Sequence, residues 1–133
     1  MAAQIEGRNR ELLEAPNFCD VATLRKDGTP HLTTVWVDVA DDHVLLNSAK
    51  GRAWPTNLER DPRVTLLVQN LENPYEYVSI RGRVAEITED GADAHIDALA
   101  KKYLGKDEYP FRTPTEQRII VRIAPDQVKR WGS

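Results

Sequence analysis

The sequence predicts a mainly β, α+β domain built on a largely antiparallel sheet that curls towards a barrel. Three observations carry that prediction. Short runs rich in β-formers recur along the chain, and the run from His31 to Val39 alternates clearly. Tight turn signals separate the early runs, and Lys26-Asp27-Gly28-Thr29-Pro30 is the strongest, because Asp-Gly supplies the positive φ a tight hairpin needs. Helical spacing is confined to a few short segments, so helices are added to a sheet rather than alternating with its strands.

Gln4 to Glu14 reads as a short amphipathic helix with Ile5, Leu12 and Leu13 on its apolar side, ended by Ala15-Pro16-Asn17. Phe18 to Leu24 is a first strand. The second, His31 to Val39, sets Thr33, Val35, Val37 and Val39 on one face and Thr34, Trp36 and Asp38 on the other. A turn at Ala40-Asp41-Asp42 leads to a short strand, His43 to Asn47. Tight connections make these three strands a meander.

Gly51 to Asp61 changes character. Ala53, Trp54 and Leu58 have helical spacing, Pro55 sits early where a helix tolerates it, and Asp61-Pro62 stops the run. Val64 to Gln69 is an apolar strand, Asn70 to Pro74 a loop, and Glu76 to Ile87 a long strand. Gly82 in its middle marks a bulge or a close backbone approach. Thr88 or Asp90 caps a helix that runs to Leu104, with Ile96, Leu99, Ala100 and Tyr103 on one side and Gly105 closing it. Glu108 to Pro114 is an irregular loop, Gln117 to Ile123 a final strand, and Pro125 to Trp131 a short tail. About six short strands favour a barrel over an open sheet.

Bulk properties narrow the function classes. The 133 residues fit one domain, residues 1–133. A net charge of −3 argues against general nucleic-acid binding. No apolar run approaches a membrane span, and no signal-peptide core precedes the first helix. The one cysteine, Cys19, cannot form an internal disulfide, so a reducing, cytoplasmic setting is expected, with Cys19 as a small buried strand residue. His31, His43 and His95 lack metal-ligand spacing, and His31 and His43 are expected at strand starts facing solvent; no metal site is expected. Ile5-Glu6-Gly7-Arg8 matches a protease site used in expression vectors and equally reads as native helix sequence.

Chemistry concentrates in Leu46 to Asn57. This stretch joins a strand end, hydroxyl and amide donors, two cations and a glycine to a helix start. A phosphate needs fixed donors and positive charge, and a helix N-terminus offers both. Ser48 brings a hydroxyl, Lys50 a point charge, Arg52 a planar fork, and Gly51 close backbone approach. The other reading, a solvated turn with two surface cations, stands level on residue types alone. Trp36 and Thr34 project away from the valine stripe. An indole there needs cover from a partner chain, a flat ligand or both, or else from a dimer contact or the barrel end.

An ordered set of short motifs resembles the pyridoxamine 5′-phosphate oxidase-like superfamily, and within it the deazaflavin (coenzyme F420)-dependent branch found in actinobacteria. The set runs Ala22-Thr23-Leu24, Asp27-Gly28-Thr29-Pro30-His31, Val35-Trp36, Asn47-Ser48-Ala49-Lys50-Gly51-Arg52, Asn57-Leu58 and Asp61-Pro62-Arg63-Val64. Ile80-Arg81-Gly82-Arg83-Val84 and the ending Arg122-Ile123-Ala124-Pro125 to Trp131 extend it over nearly the whole chain. The resemblance implies an FMN-binding-like split β-barrel that forms a homodimer with two cofactor sites at the interface. It implies that Thr33, Thr34, Val35 and Trp36 run along the cofactor ring. It implies that Asn47, Ser48, Lys50, Gly51, Arg52, Ala53 and Asn57 lie near the phosphate or ribityl part. Ala53 departs from the pattern, since many relatives carry a second cation directly after the arginine.

The chain ends without the Arg- and His-containing tail by which vitamin B6 oxidases grip substrate phosphate, so pyridoxine phosphate oxidation is not expected. The resemblance then implies an F420H2-dependent reductase that passes a hydride to an electron-poor small molecule such as a quinone, enone or tetrapyrrole. The alternatives are an FMN-binding oxidase or flavin reductase and a non-catalytic cofactor-binding or haem-binding module, for which His31 or His43 are candidate ligands. No residue stands out as a general acid, and the loops Asn70–Pro74 and Glu108–Pro114 are the expected walls of the acceptor pocket.

Overall fold

Period-two burial along strands such as Cys19–Leu24 and Arg63–Gln69 decides which residues face inward, and the chain's turns decide which strands pair. The computed structural model describes residues 3–132. In chain order these residues form α1 (Gly7–Glu14), β1 (Cys19–Leu24), β2 (Pro30–Val35), β3 (Asp38–Ala40), β4 (His43–Ala49), α2 (Ala53–Arg60), β5 (Arg63–Gln69), β6 (Tyr77–Thr88), α3 (Ala92–Leu104) and β7 (Arg118–Trp131). The strands make one sheet in the order β2-β1-β5-β6-β7-β4-β3, and every pairing is antiparallel.

The connectivity forces this sheet to curl. β2 and β3 are its opposite edges, yet only Trp36 and Val37 separate them in the chain. A flat seven-stranded sheet would hold its edges roughly 29 Å apart at about 4.8 Å per strand. Three Cα steps from Val35 to Asp38 reach only about 11 Å. The edges therefore meet, and the interior fills with Val21, Val44, Leu46, Leu66, Val78, Ile80, Ile119, Val121 and Ile123, all essentially inaccessible. Leu12 and Leu13 of α1 and Trp54 and Leu58 of α2 belong to the same core. No helix among the described residues is long and apolar enough to cross a membrane.

Gly82 is the close approach its position predicts. A Cβ there would sit 2.3 Å from the carbonyl oxygen of Ala124, and the β6–β7 register shifts between Arg81 and Gly82.

Five expectations need correction. The run His31 to Val39 is two strands, because the chain must cross from one sheet edge to the other at Trp36-Val37. Pro125 to Trp131 is not a tail but the second half of β7, paired with β6 as far as Tyr77 opposite Trp131. Proline is tolerated because β4 pairs with β7 only as far as Ile123 and the β6 side is already irregular there. α3 starts later than Thr88 or Asp90. Gly91, at φ 74°, precedes it, while Thr88 ends β6 and its Oγ1 accepts the Asp90 N–H. α1 starts at Gly7 rather than Gln4, and Ile5 lies buried ahead of it with its N–H on the Asp42 carboxylate at 3.0 Å. His31 and His43 are half-buried rather than solvent-facing, each with a buried Nδ1 that has no partner among the described residues.

The tetrapeptide Ile5-Glu6-Gly7-Arg8 is thus built into the fold. Arg8 makes a two-pronged contact with Glu76, Nε to Oε2 at 2.8 Å and Nη2 to Oε1 at 2.6 Å.

Candidate functional site

The site begins at the seam where β2 gives way to β3. Backbone that crosses between sheet edges has no ladder, so its polar groups need other partners. α3 supplies them. The Tyr103 hydroxyl accepts the Val37 N–H at 3.0 Å and donates to the Asn17 carbonyl at 2.5 Å. Lys102 Nζ donates to the carbonyls of Leu13 at 2.7 Å and Val37 at 2.6 Å. Burial pulls the Lys102 ammonium down to about 8, against the upward pull of Asp38 and Glu14. Burial also raises the Tyr103 phenol, which stays protonated at neutral pH.

Trp36 finds its cover within the chain. Its indole stacks on Tyr103 with centroids 5.0 Å apart and planes 5° apart, and Phe18 also stacks on Tyr103 at 5.8 Å. Tyr109 meets Trp36 edge-on at 6.0 Å and Phe111 meets Tyr109 at 5.6 Å. Phe18, Trp36, Tyr109 and Phe111 wall a groove of about 310 Å³, lined also by Thr34, Val35, Asn47, Arg52, Ile96, Leu99 and Arg118.

The polar floor comes from β4 and β7. Asn47 pairs with Ile120 and Ala49 with Arg118, so Asn47 and Arg118 are diagonal neighbours on one face. Arg118 Nε can only donate, which fixes Asn47 Oδ1 towards it at 2.9 Å. Asn47 Nδ2 then points to the Ala92 carbonyl at 3.0 Å and to His95 Nδ1 at 3.1 Å. Nδ1 therefore accepts, and the imidazole proton lies on Nε2, aimed at Asp38 Oδ2 at 3.1 Å. Asp38 is half-buried. Burial would raise its carboxyl, but the bonds from His95 and the Val39 N–H hold it below the usual range. The run Asp38-His95-Asn47-Arg118 thus ties the seam to the groove floor. Behind Arg118 stands Glu116, whose Oε2 lies 3.4 Å from Arg118 and 3.6 Å from Arg52. The Arg118 guanidinium also sits over the Tyr109 ring at 5.2 Å.

Of the residues picked from sequence, the groove brings together Thr34, Val35, Trp36, Asn47 and Arg52. Thr34 Oγ1 donates to Asp20 at 2.7 Å. The others are not among its lining residues. Thr33 pairs with Val21 on β1. Ser48 turns inward with Val44 and Leu46, 1% exposed, and its Oγ has no partner among the described residues. Lys50 is exposed and pairs with Glu89 at 2.9 Å. Gly51 adopts φ 91° with open space around it. Ala53 is exposed at the start of α2. Asn57 is buried and donates to Thr23 Oγ1 at 3.1 Å. Sequence reasoning missed Arg118, Phe18, Ile96 and Leu99 as lining residues. Arg118 alone carried a signal, a charge at the head of an apolar run. From the two suspected loops, Tyr109 and Phe111 of Glu108–Pro114 line the groove, and Asn70–Pro74 contributes nothing to it.

The family model of pyridoxamine 5′-phosphate oxidase matches residues 5–132. The chain belongs to the pyridoxamine 5′-phosphate oxidase family. Its curled sheet is the split barrel of that family. Among solved structures it is similar to an F420 reductase, at 28% identity over 90% of this chain and 94% of the other, with a TM-score of 0.79. It is also similar to the conserved hypothetical protein Rv2991 of Mycobacterium tuberculosis, at 25% identity over 98% and 86% of the two chains, TM-score 0.76. General stress protein 26 of Bacillus anthracis shares the fold, at 18% identity over 91% and 88%, TM-score 0.65. No curated protein matches the chain.

Proteins of the pyridoxamine 5′-phosphate oxidase family bind flavin-type cofactors, and the residues present here suit the phosphate of such a group. Ser48, whose hydroxyl has no partner among the described residues, turns into the barrel and is not part of this fit. Gly51 leaves open space at positive φ, and the first N–H groups of α2 have neither an intrahelical partner nor a side-chain cap. Lys50 is held only by an exposed ion pair with Glu89, which costs little to exchange for an anion, and the half-exposed Arg52 guanidinium reaches the nearly buried Glu116 at 3.6 Å.

Proposed function

We propose that the protein is an F420H2-dependent reductase of small, electron-poor acceptors, working as a homodimer with two cofactor sites at the interface. One observation carries the reading. Thr34 and Val35 at the end of β2, with Trp36 just after it, lie in the same groove as Asn47 and Arg52 from the phosphate-suited segment, although β3 intervenes in the chain. Similarity to an F420 reductase at 28% identity supports the choice of deazaflavin, and the dimers that proteins of this family typically form support the assembly.

Lys50, Arg52, the Gly51 backbone and the start of α2 hold the phosphate end of the cofactor. Thr34, Val35 and Trp36 set the orientation of its ring, and the packed aromatic wall keeps water from the face they cover. When bound, reduced deazaflavin supplies a hydride from its C5 to a quinone, enone or tetrapyrrole. Solvent protonates the product, so no protein acid is assigned. The buried Cys19 thiol, raised by burial, takes no part and suits a reducing cytoplasm.

Titrating the purified protein with F420 and with FMN tests this. Saturable F420 binding and oxidation of F420H2 against an acceptor panel are expected. Tight FMN binding with no F420 binding would overturn the reading. The family match favours FMN as the second choice, and a yellow protein with a flavin spectrum on purification would establish it.

A further inference from the structure

We infer that the groove recognises a flat, conjugated acceptor that carries a carboxylate, with Arg118 as its anion-binding residue. The groove lining holds two charged side chains, Arg52 and Arg118, and no acid. Glu116, just behind, is shared between both guanidinium groups, so one positive charge is left over.

Arg118 is 6% exposed. A cation that deep needs compensation. Its Nε is committed to Asn47 and its Nη1 to Glu116. Nη2 has no hydrogen-bond acceptor among the described residues. Burial lowers this guanidinium from its ordinary value, the mark of a charge incompletely matched. The planar fork is fixed from below by Asn47 and from one side by the Tyr109 ring, so it presents its remaining N–H groups in one plane. That geometry matches the two oxygens of a carboxylate. Trp36, Tyr109 and Phe111 stand beside it and select a flat ring for the rest of the ligand. A phosphate is better served at the rim, where Lys50, Arg52 and the α2 N-terminus are exposed.

Calling this ligand the hydride acceptor rests on the reductase reading; its binding does not. The test uses no cofactor. 2-Naphthoate and its neutral counterpart 2-naphthalenemethanol are titrated into the protein and followed by tryptophan fluorescence, because Trp36 lines the groove, and by calorimetry. Wild type is expected to bind the acid at least tenfold more tightly than the alcohol. Arg118→Gln is expected to bring the two to parity without changing the affinity for the alcohol. Arg118→Lys, which keeps the charge but loses the fork, is expected to retain only part of the preference. Equal affinities in wild type would overturn the inference. So would a preference that survives Arg118→Gln, or one that Arg52→Gln abolishes. If Arg118→Gln does not fold, the wild-type ratio and Arg118→Lys decide. Naphthoate binding without any F420H2 oxidation would remove the reductase reading and leave the anion site standing. F420 binding with no acid preference would do the reverse.

Discussion

The indole of Trp36 and the phenol ring of Tyr103 lie parallel, 5.0 Å apart, across a seam that no β-ladder closes. The Tyr103 hydroxyl does the work of the missing ladder at Val37. Tyr103→Phe keeps the stack and leaves a buried N–H unpaired. The expected cost is about 2 kcal/mol, the usual penalty for such an orphan. Tyr103→Ala also removes the stack and should cost about 3 kcal/mol or more. Urea unfolding of the three proteins measures both, and an unchanged midpoint for Tyr103→Phe would show that the hydroxyl is replaceable by water.

Gly82→Ala places a methyl 2.3 Å from a backbone carbonyl, which cannot swing aside like a side chain. β6 and β7 must part locally, at an expected cost of about 2 kcal/mol, in the range of overpacked sites. Thermal denaturation should show the loss as a fall of roughly 4 °C per kcal/mol at this chain length.

Acid stability has a specific source at Glu76, just before β6. Arg8 and Asn70 bond the Glu76 carboxylate and hold it down to about 2, against an ordinary 4.5, with Arg130 adding charge. A depressed carboxyl binds its proton later in the folded state than in the unfolded one. Its contribution is complete above pH 4.5 and disappears as pH falls from 4.5 to about 2. Glu76→Gln should flatten the stability profile in that window, leaving the part that Asp61 contributes through Arg63. Lys102 acts with the same slope at the alkaline end of the range. Its folded value of about 8 against 10.5 means that stability rises with pH between those limits, and Lys102→Met should remove that rise. Denaturation midpoints from pH 2 to 10.5 record both.

Arg52→Ala is expected to weaken F420 binding about tenfold, one charge-assisted contact of roughly 1.4 kcal/mol. Arg112→Ala, whose guanidinium is occupied by Asp93 and Asp97, should leave it unchanged. Fluorescence titration of F420 reads both. Equal losses in the two variants would mean that net charge, rather than a positioned fork, holds the cofactor.

What the sequence made legible was local. The Asp27-Gly28 hairpin, the alternation of β2 and the close approach at Gly82 each follow from a few neighbouring residues. The floor of the groove was not local. Arg118 meets Asn47 only because β7 returns beside β4 in one register, 71 residues later. Trp36 announced a need for cover, but Tyr103 is 67 positions away on a helix whose apolar side gave no hint of which strand it would meet. The second half of β7 was hidden for another reason. Pro125 argues against a strand wherever both edges carry a ladder, and nothing in the local run says that β4 has already stopped pairing there. Ser48 and Asn47 sit side by side in sequence and were grouped. A strand sends neighbours to opposite faces, so one lies in the barrel and the other in the groove.

A barrel closed at one place by side chains instead of a ladder has a built-in breathing mode. Elsewhere, opening the wall means breaking a row of backbone bonds. At Val37 it means releasing Tyr103 and Lys102, both on the last turns of α3. Amide exchange at Val37 should therefore track the fraying of α3 and not global unfolding. Trp36 stacks on Tyr103 and lines the groove, so fraying at the end of this one helix is expected to loosen the groove wall as well.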